Sequence, residues 1–294
     1  MLLAFDIGGT KVACARVEGG VIRERRQYPM AYEPAGFAEV IDQLTAGWAA
    51  PSRVAVCTTG YIDGGRVHSV NLDIIRFWDG FALAEMLQAR FACPVDLIND
   101  GQAAGWGEYV ARRARGLAPA NLLFMTLSTG VGGGLVLDHR LRRGPHGLAA
   151  HVGHAGVRLM ALDGVTACGC GRSGCLEMIA SGTALARQAG ALFGRPVSSA
   201  ELFALAATEL RAERIIVHAA QAVAEAIAGF HMIVDLQEVV IGGSVGLASG
   251  MLERIRAALH DMPLRAAPLL SAACQGGDAG LTGVIALDNE RQEK

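Results

Sequence analysis

Three cysteines stand within eight residues, Cys168, Cys170 and Cys175, with Gly169, Gly171 and Gly174 between them. Glycines at those places allow tight turns that aim three sulfurs at one point. His151 and His154 lie upstream. Three thiolates and one imidazole make a closed tetrahedral zinc site, which is structural because no position is left for an activated water. Buried thiols used only for packing do not account for the glycine spacing. Spacing alone leaves open which histidine is the fourth ligand.

A second candidate is Asn99–Asp100, which follows the apolar run VDLI (95–98) and precedes helical sequence. Open α/β sheets bind ligands where strand ends open into helices. A carboxylate there can take the proton of a hydroxyl attacking phosphorus. The alternative is a helix cap, with Asp100 satisfying free N–H groups. Three Gly-rich turns form the third candidate. Asp6 precedes Gly8, Gly9, Thr10 and Lys11; Thr129, Gly130 and Gly132 to Gly134 form another turn; IGGSVG (241–246) contains Gly243. Backbone N–H groups of such turns hold phosphate oxygens, and Asp6 can orient Mg²⁺ or its water shell. The P-loop pattern GxxxxGK[ST] is absent. Two matching hairpins and a third turn point instead to a nucleotide held between two halves. Asn71 can bind a polyol or serve a turn. Glu177 can take a substrate hydroxyl or fill the first turn of a helix.

These residues need strands and helices to position them. Apolar spacing predicts strands over 2–5, 12–17 and 21–27 as a meander, then a helix over 36–47. A strand over 53–57, a helix over 81–89, a strand over 95–98 and a helix over 102–113 follow. Residues 177–231 read as mostly helical and 238–241 as a strand. FDIGGTKVACARV (5–17) lines up with LSTGVGGGLVLDH (127–139), which suggests a duplicated α/β unit. The basic, turn-rich stretch RRARGLAP (112–119) marks the expected boundary. An N-terminal α/β domain over 1–118, completed by a C-terminal helix over 280–292, and a zinc-bearing domain over 119–279 are therefore expected.

Composition agrees with a folded α/β chain: of 294 residues, 52% are hydrophobic and 18% charged, which excludes a disordered chain. A net charge of −2 offers no broad positive field for nucleic acid or an anionic membrane. Trp48, Trp78 and Trp106 are dispersed and form no stacking platform. Arg23, Arg25 and Arg26 read as a solvated strand face. The longest apolar runs read as too short, or too interrupted by charge, to span a bilayer. Seven cysteines, an odd number, argue against a disulfide framework, and the opening MLLAFDIGG has no basic leader. A cytoplasmic chain is expected.

Taken together, DIGGTK (6–11), INDG (98–101), STGVGGG (128–134), HVGH (151–154), CGCGRSGCLE (168–177) and IGGSVG (241–246) resemble the ROK sugar-kinase family, in family order. The resemblance implies a two-domain ribonuclease-H-like α/β fold of the actin and hexokinase type, with ATP and Mg²⁺ in the inter-domain cleft. It implies Asp100 as catalytic base, Asn99 as a sugar ligand and Asp6 as the organiser of Mg²⁺ and phosphate. Gly8, Gly9, Thr10 and Lys11, with Thr129, Gly130, Gly132 and Gly133, would surround the phosphates, and Gly243 the adenosine. His154, Cys168, Cys170 and Cys175 would hold zinc; Asn71, His151, His154 and Glu177 would contact sugar.

Family members acting on glucose usually carry Glu at the position of His151, whereas bacterial members acting on N-acetylmannosamine carry His. An imidazole can donate and removes a charge beside an acetamido group. The expected reaction is therefore phosphoryl transfer from ATP to the 6-hydroxyl of N-acetylmannosamine. Glucose or N-acetylglucosamine on the same scaffold is the alternative, and a non-catalytic sugar-binding regulator is a further one. Some members carry an added helix-turn-helix domain; a first strand at Leu2 leaves no room for one here. The resemblance suggests a homodimer, with no nucleic-acid or membrane partner. Two departures stand out. Gly101 replaces a common Ala, at some expected cost in rigidity. Ala150 replaces a common Gly, for which local adjustment is expected.

Overall fold

The computed structural model describes residues 1–70 and 75–292. Strands β1 (Leu2–Ile7), β2 (Lys11–Glu18) and β3 (Val21–Pro29) form the expected meander, followed by helix α1 (Pro34–Thr45). Pro34 starts α1 with φ already fixed, so the helix begins two residues before the apolar periodicity. Next come β4 (Arg53–Thr58), the small ribbon β5 (Tyr61–Asp63) and β6 (Arg66–His68), α2 (Leu83–Phe91), β7 (Val95–Asn99) and α3 (Asp100–Ala114). The ribbon escapes a reading by periodicity because three-residue strands carry almost none.

The second half runs β8 (Leu122–Leu127), β9 (Val131–Leu137), β10 (Arg140–Arg142), α4 (Glu177–Ala180), α5 (Gly182–Phe193), α6 (Ser199–Leu205), α7 (Leu210–Val234), β11 (Glu238–Gly242), α8 (Gly243–Gly246), α9 (Met251–His260), β12 (Leu269–Ala272) and α10 (Ala279–Gln292). The strands make two five-stranded sheets, β3-β2-β1-β4-β7 and β10-β9-β8-β11-β12. In each, a three-stranded antiparallel meander is extended by two parallel strands. The two halves repeat one topology. Their register differs from the sequence alignment, which set Phe5 opposite Leu127. The strand ends set Ile7 beside Leu127, a spacing of 120 residues, but Ile7 pairs with Val12 and Leu127 with Val131, so the second turn is one residue shorter. By position in the first strand of each hairpin Asp6 thus corresponds to Thr126, not Ser128; the glycine count misleads because the two turns differ in length.

Each sheet has its own apolar layer. Phe5, Phe37, Trp78 and Leu83 fill the outer face of the first. Leu123, Leu185, Ile216, Val223 and Ile255 fill that of the second. Helix α7 is long and apolar enough, by length and composition, to cross a membrane, which corrects the reading of the apolar runs as too short or too charged. Its charges Arg211, Glu213 and Arg214 crowd the first turns, leaving Glu225 further along. Just over half of its most apolar stretch, 56%, is buried inside the fold, as a core helix would be.

Two helices cross between the sheets. Leu281, Val284 and Ile285 of α10 pack on Leu2, Ala4 and Ala55 of the first sheet. Ala104, Trp106 and Tyr109 of α3 pack on Leu122, Phe124 and Val240 of the second. They meet at Gly283, where an added Cβ would stand 1.8 Å from the Ala103 carbonyl oxygen. The α3 N-terminus also lies close to β9: a Cβ on Gly101 would lie 2.7 Å from both the N and O of Gly133. These contacts require glycine, since any side chain would separate the backbones.

Candidate active site and metal centre

The C-terminal ends of parallel strands from both sheets open onto one cavity of about 470 Å³. Asp6 from β1 and Asp100 at the start of α3 enter it from one side; Thr126, Ser128, Gly243 and Ser244 line the other. Gly276, Gly277 and Gly280, around the start of α10, complete it. A larger groove of about 830 Å³, lined by Leu162, Leu192 and Leu210, shares no residue with this cleft. Its acids Asp163 and Glu213 are each paired with an arginine, so it offers no free carboxylate pair.

Asp100 is positioned by its neighbour. Asn99 is the helix cap: its Oδ1 accepts from the Gln102 N–H at 3.0 Å. Its Nδ2 donates to the Gly60 carbonyl at 2.8 Å and to Asp100 Oδ1 at 3.0 Å. Asp100 Oδ1 also accepts from the Gly101 N–H at 2.8 Å. The cap considered for Asp100 is therefore chiefly the work of Asn99, whose two amide hydrogens are both engaged within the chain. Burial raises the Asp100 pKa above the ordinary carboxylate value, against these hydrogen bonds. Burial first, and the Asp100 charge second, push Asp6 up from 3.8 to about 6. Two carboxylates whose ionisation is opposed by burial, and in Asp6 also by the charge of Asp100, suit a divalent cation, which would relieve both.

The second sheet carries the histidines. Gln102, buried on α3, turns its Nε2 to the carbonyls of Arg143, Gly147 and Ala149 at 3.2, 3.0 and 2.9 Å. It thereby pins the loop that leads into His151 and the short 3₁₀ turn Val152–His154. Sequence reasoning passed over Gln102; its place one helical turn after the Asn99 cap was the available signal. Burial, then the nearby His154, lowers the His151 pKa, which favours a neutral imidazole. Ala150 adopts φ +63°, so the backbone keeps a left-handed conformation that favours glycine.

His154, Cys168, Cys170 and Cys175 converge, their ligand atoms all within 4.8 Å of one another. Cys168 Sγ lies 3.5 Å from His154 Nδ1, and Cys170 Sγ 3.6 Å from Cys175 Sγ. Ligands about 2.0–2.3 Å from a tetrahedral zinc stand at roughly such separations, so the donor set fits the ion. Gly171 and Gly174 make the turns, at φ +83° and +74°. As free thiols the group is strained electrostatically: burial and the neighbouring sulfurs push Cys175 up to about 12. His151 is outside the cluster, so geometry distinguishes the two histidines.

Glu177 opens α4 two residues after Cys175. Its Oε2 accepts from the Val131 N–H at 2.9 Å, tying the metal knuckle to the turn at 128–130. The expected base Asp100 lines the cavity, as do Asp6 and Gly243 of the residues expected around the nucleotide. Gly8, Gly9, Thr10, Lys11, Thr129, Gly130, Gly132 and Gly133 are not among its lining residues. Gly8 and Lys11 close the first turn on each other, the Gly8 N–H donating to the Lys11 carbonyl at 2.9 Å. The Thr129 carbonyl accepts from Thr183 Oγ1 at 3.0 Å, and Gly133 is packed beneath α3. Asn71 lies outside the described residues.

Comparison with known proteins follows the same lines. The sequence model described as "ROK family" matches residues 2–291. An N-acetylmannosamine kinase of Vibrio cholerae is 41% identical over 265 residues, covering 89% of this chain and 90% of that protein. The crystal structure of the ROK hexokinase from Thermus thermophilus superposes with a TM-score of 0.83 at 31% identity, covering 100% of this chain and 99% of that one. A ROK family glucokinase from Streptomyces griseus, in complex with glucose and AMPPNP, superposes with a TM-score of 0.79 at 28% identity, covering 97% and 98%. The fold is thus the α/β fold of the actin, hexokinase and ribonuclease-H-like class, and the chain belongs to the ROK family.

Proposed function

We propose that this chain transfers the γ-phosphoryl group of ATP to the 6-hydroxyl of N-acetylmannosamine, giving the 6-phosphate and ADP. The observation that carries this reading is the placement of Asp100: a half-buried carboxylate of raised pKa, hydrogen-bonded by Asn99, in the same cleft as Asp6. As the hydroxyl attacks, Asp100 accepts its proton; Asn99 and the Gly101 N–H hold Oδ1 so that the carboxylate is aimed before substrate arrives. Asp6 would hold Mg²⁺, which when bound supplies charge neutralisation at the phosphates. The turns at Gly8 to Lys11 and Thr129 to Gly133 would close on the phosphates, and Gly243 on the adenosine.

On this reading the two sheets belong to two domains, 1–118 with helix 280–292 and 119–279, which close on substrate and exclude water. His151, His154 and Glu177, with Asn71, would contact the sugar. A neutral His151 places no charge beside an acetamido group, which favours an N-acetylated sugar over glucose. Zinc on His154, Cys168, Cys170 and Cys175 would shape this pocket, since the same knuckle carries His154 and leads directly to Glu177. The family resemblance further suggests a cytoplasmic homodimer.

The test is sugar-dependent ADP release with Mg-ATP, comparing N-acetylmannosamine, N-acetylglucosamine, glucose and mannose against a no-sugar blank. A kcat/KM preference for N-acetylmannosamine is expected. A preference for glucose or N-acetylglucosamine would keep the chemistry and overturn the role given to His151. No turnover by folded, zinc-loaded protein would overturn the kinase reading.

A further inference from the structure

We propose that Glu108 is a positioning residue for the nucleotide: anchored by Arg112, its carboxylate fixes the segment 274–278 that walls one side of the cleft. The inference rests on the kinase reading above and extends it to a residue remote from the reacting atoms. Glu108 lies on α3, about 12 Å along the helix from Asp100. It is fully buried and still lines the cavity. Its Oε1 accepts from the backbone N–H groups of Cys274 and Gln275, both at 2.8 Å. Its Oε2 accepts from Arg112 Nη1 at 2.5 Å and from the Cys274 thiol at 3.4 Å.

Arg112 keys this carboxylate to the second sheet. Its Nε donates to Glu238 Oε1 on β11 at 2.8 Å, and its Nη2 donates to Ser271 Oγ on β12 at 2.9 Å. The segment itself, CQGGD, contributes little packing of its own. A Cβ at Gly276 or Gly277 would meet nothing within 4 Å, although both residues line the cavity. Its residues Gly276–Asp278 form a 3₁₀ turn that runs into α10, and its flanks are tied by the Ala273 N–H to the Ile241 carbonyl at 2.9 Å and by Asp278 to Arg25 at 3.0 Å. The entry to the wall at Cys274 and Gln275, ahead of that turn, is therefore held by the hydrogen bonds to Glu108. Because Asp100 starts the same helix, α3 sets the distance between the base and this wall.

The experiment compares full-length, zinc-loaded wild type with Glu108→Gln, in steady-state kinetics and in calorimetric titrations with Mg-ADP and, separately, with N-acetylmannosamine. The glutamine preserves shape but turns a neutral amide toward Arg112. Hydrogen bonds to charged groups are strong enough that losing one corresponds to about tenfold or more in an equilibrium. The expected result is a rise of about tenfold in the Kd of Mg-ADP and the KM of ATP. Sugar affinity and kcat at saturating ATP should stay within about twofold. Unchanged nucleotide affinity, or equal losses for nucleotide and sugar, would overturn the assignment, since a general loosening of the fold moves both. Wild type that binds no Mg-ADP would overturn the kinase reading and this inference together. Hydrogen exchange of wild type keeps the proposal testable where the variant does not fold: the amides of 274–278 should exchange more slowly with Mg-ADP, and no change there would overturn it.

Discussion

The Asn99 amide donates to Asp100 Oδ1 at 3.0 Å while its own oxygen caps the helix that Asp100 begins. One side chain thus closes the helix end and aims the acid beside it, and its remaining N–H is spent on the Gly60 carbonyl at 2.8 Å. The capping role weighed for Asp100 falls to Asn99 in this arrangement, and both of its amide hydrogens are engaged within the chain. It makes the orientation of Asp100 a property of the α3 N-terminus, in place before any substrate binds.

Replacing Asp100 with Asn should lower kcat by at least ~10²-fold, the scale of lost acid–base assistance. Helix α3 should survive, because Asn99 supplies the cap. Steady-state kinetics on protein with an unchanged circular dichroism spectrum checks this; near-normal kcat would remove Asp100 from the role of base.

Asp6 carries a pH signature. Its folded pKa, about 6, lies above the ordinary 3.8, so the folded state holds the proton more tightly. The associated stability is present below about pH 4 and is lost as pH rises through about 6. Ionised Asp6 then costs roughly 3 kcal/mol. Asp6→Asn should therefore raise the Tm of metal-free protein at pH 8, with the gain vanishing near pH 4, while abolishing turnover. In the wild type, kcat/KM for Mg-ATP should fall below about pH 6 as Asp6 takes up its proton. A variant no more stable at pH 8 than the wild type contradicts this account.

Zinc is expected at about one equivalent per chain on the four converging ligands. Cys170→Ser should reduce bound metal, measured by plasma mass spectrometry, and lower the Tm. Sugar affinity should weaken with it, because His154 and Glu177 hang from the same knuckle. Full metal content with an unchanged melting curve would reject this.

Gly101→Ala restores a residue common in the family, yet here it should destabilise. Its Cβ would meet the Gly133 backbone at 2.7 Å, and backbone on both sides leaves no flexible atom to yield. A loss of about 1–3 kcal/mol in urea unfolding is expected, the usual range for overpacking. A neutral result would mean that α3 and β9 separate at no cost.

Ala150→Gly should act in the opposite sense. Ala150 sits at φ +63°, where a Cβ costs about 1–2 kcal/mol, partly offset by the greater chain entropy of glycine when unfolded. A net gain of about 0.5–1 kcal/mol, read as a higher urea midpoint, is expected. No gain would show that the local chain relaxes its left-handed geometry when unliganded.

Residue types and spacing determined much of this protein. Cys168, Cys170 and Cys175 among glycines marked a cluster that could hold a metal, because turns of that tightness leave the sulfurs few directions. Most strands and helices were legible from apolar periodicity, since burial of one face imposes it directly. The duplicated unit was legible in its glycines, though not in its register, because the two turns differ by one residue in length. Spacing alone left His154 and His151 open; the family resemblance pointed to His154, and the tertiary structure brings that residue, not His151, to the sulfurs, because proximity depends on how two loops fold together. Only the tertiary structure brought Gln102 to the His151 loop and Glu108 to residues 274 and 275, partners dozens to more than a hundred positions away. Such contacts leave no local periodicity; they arise when α3 is packed between two sheets and its buried polar groups must find partners there.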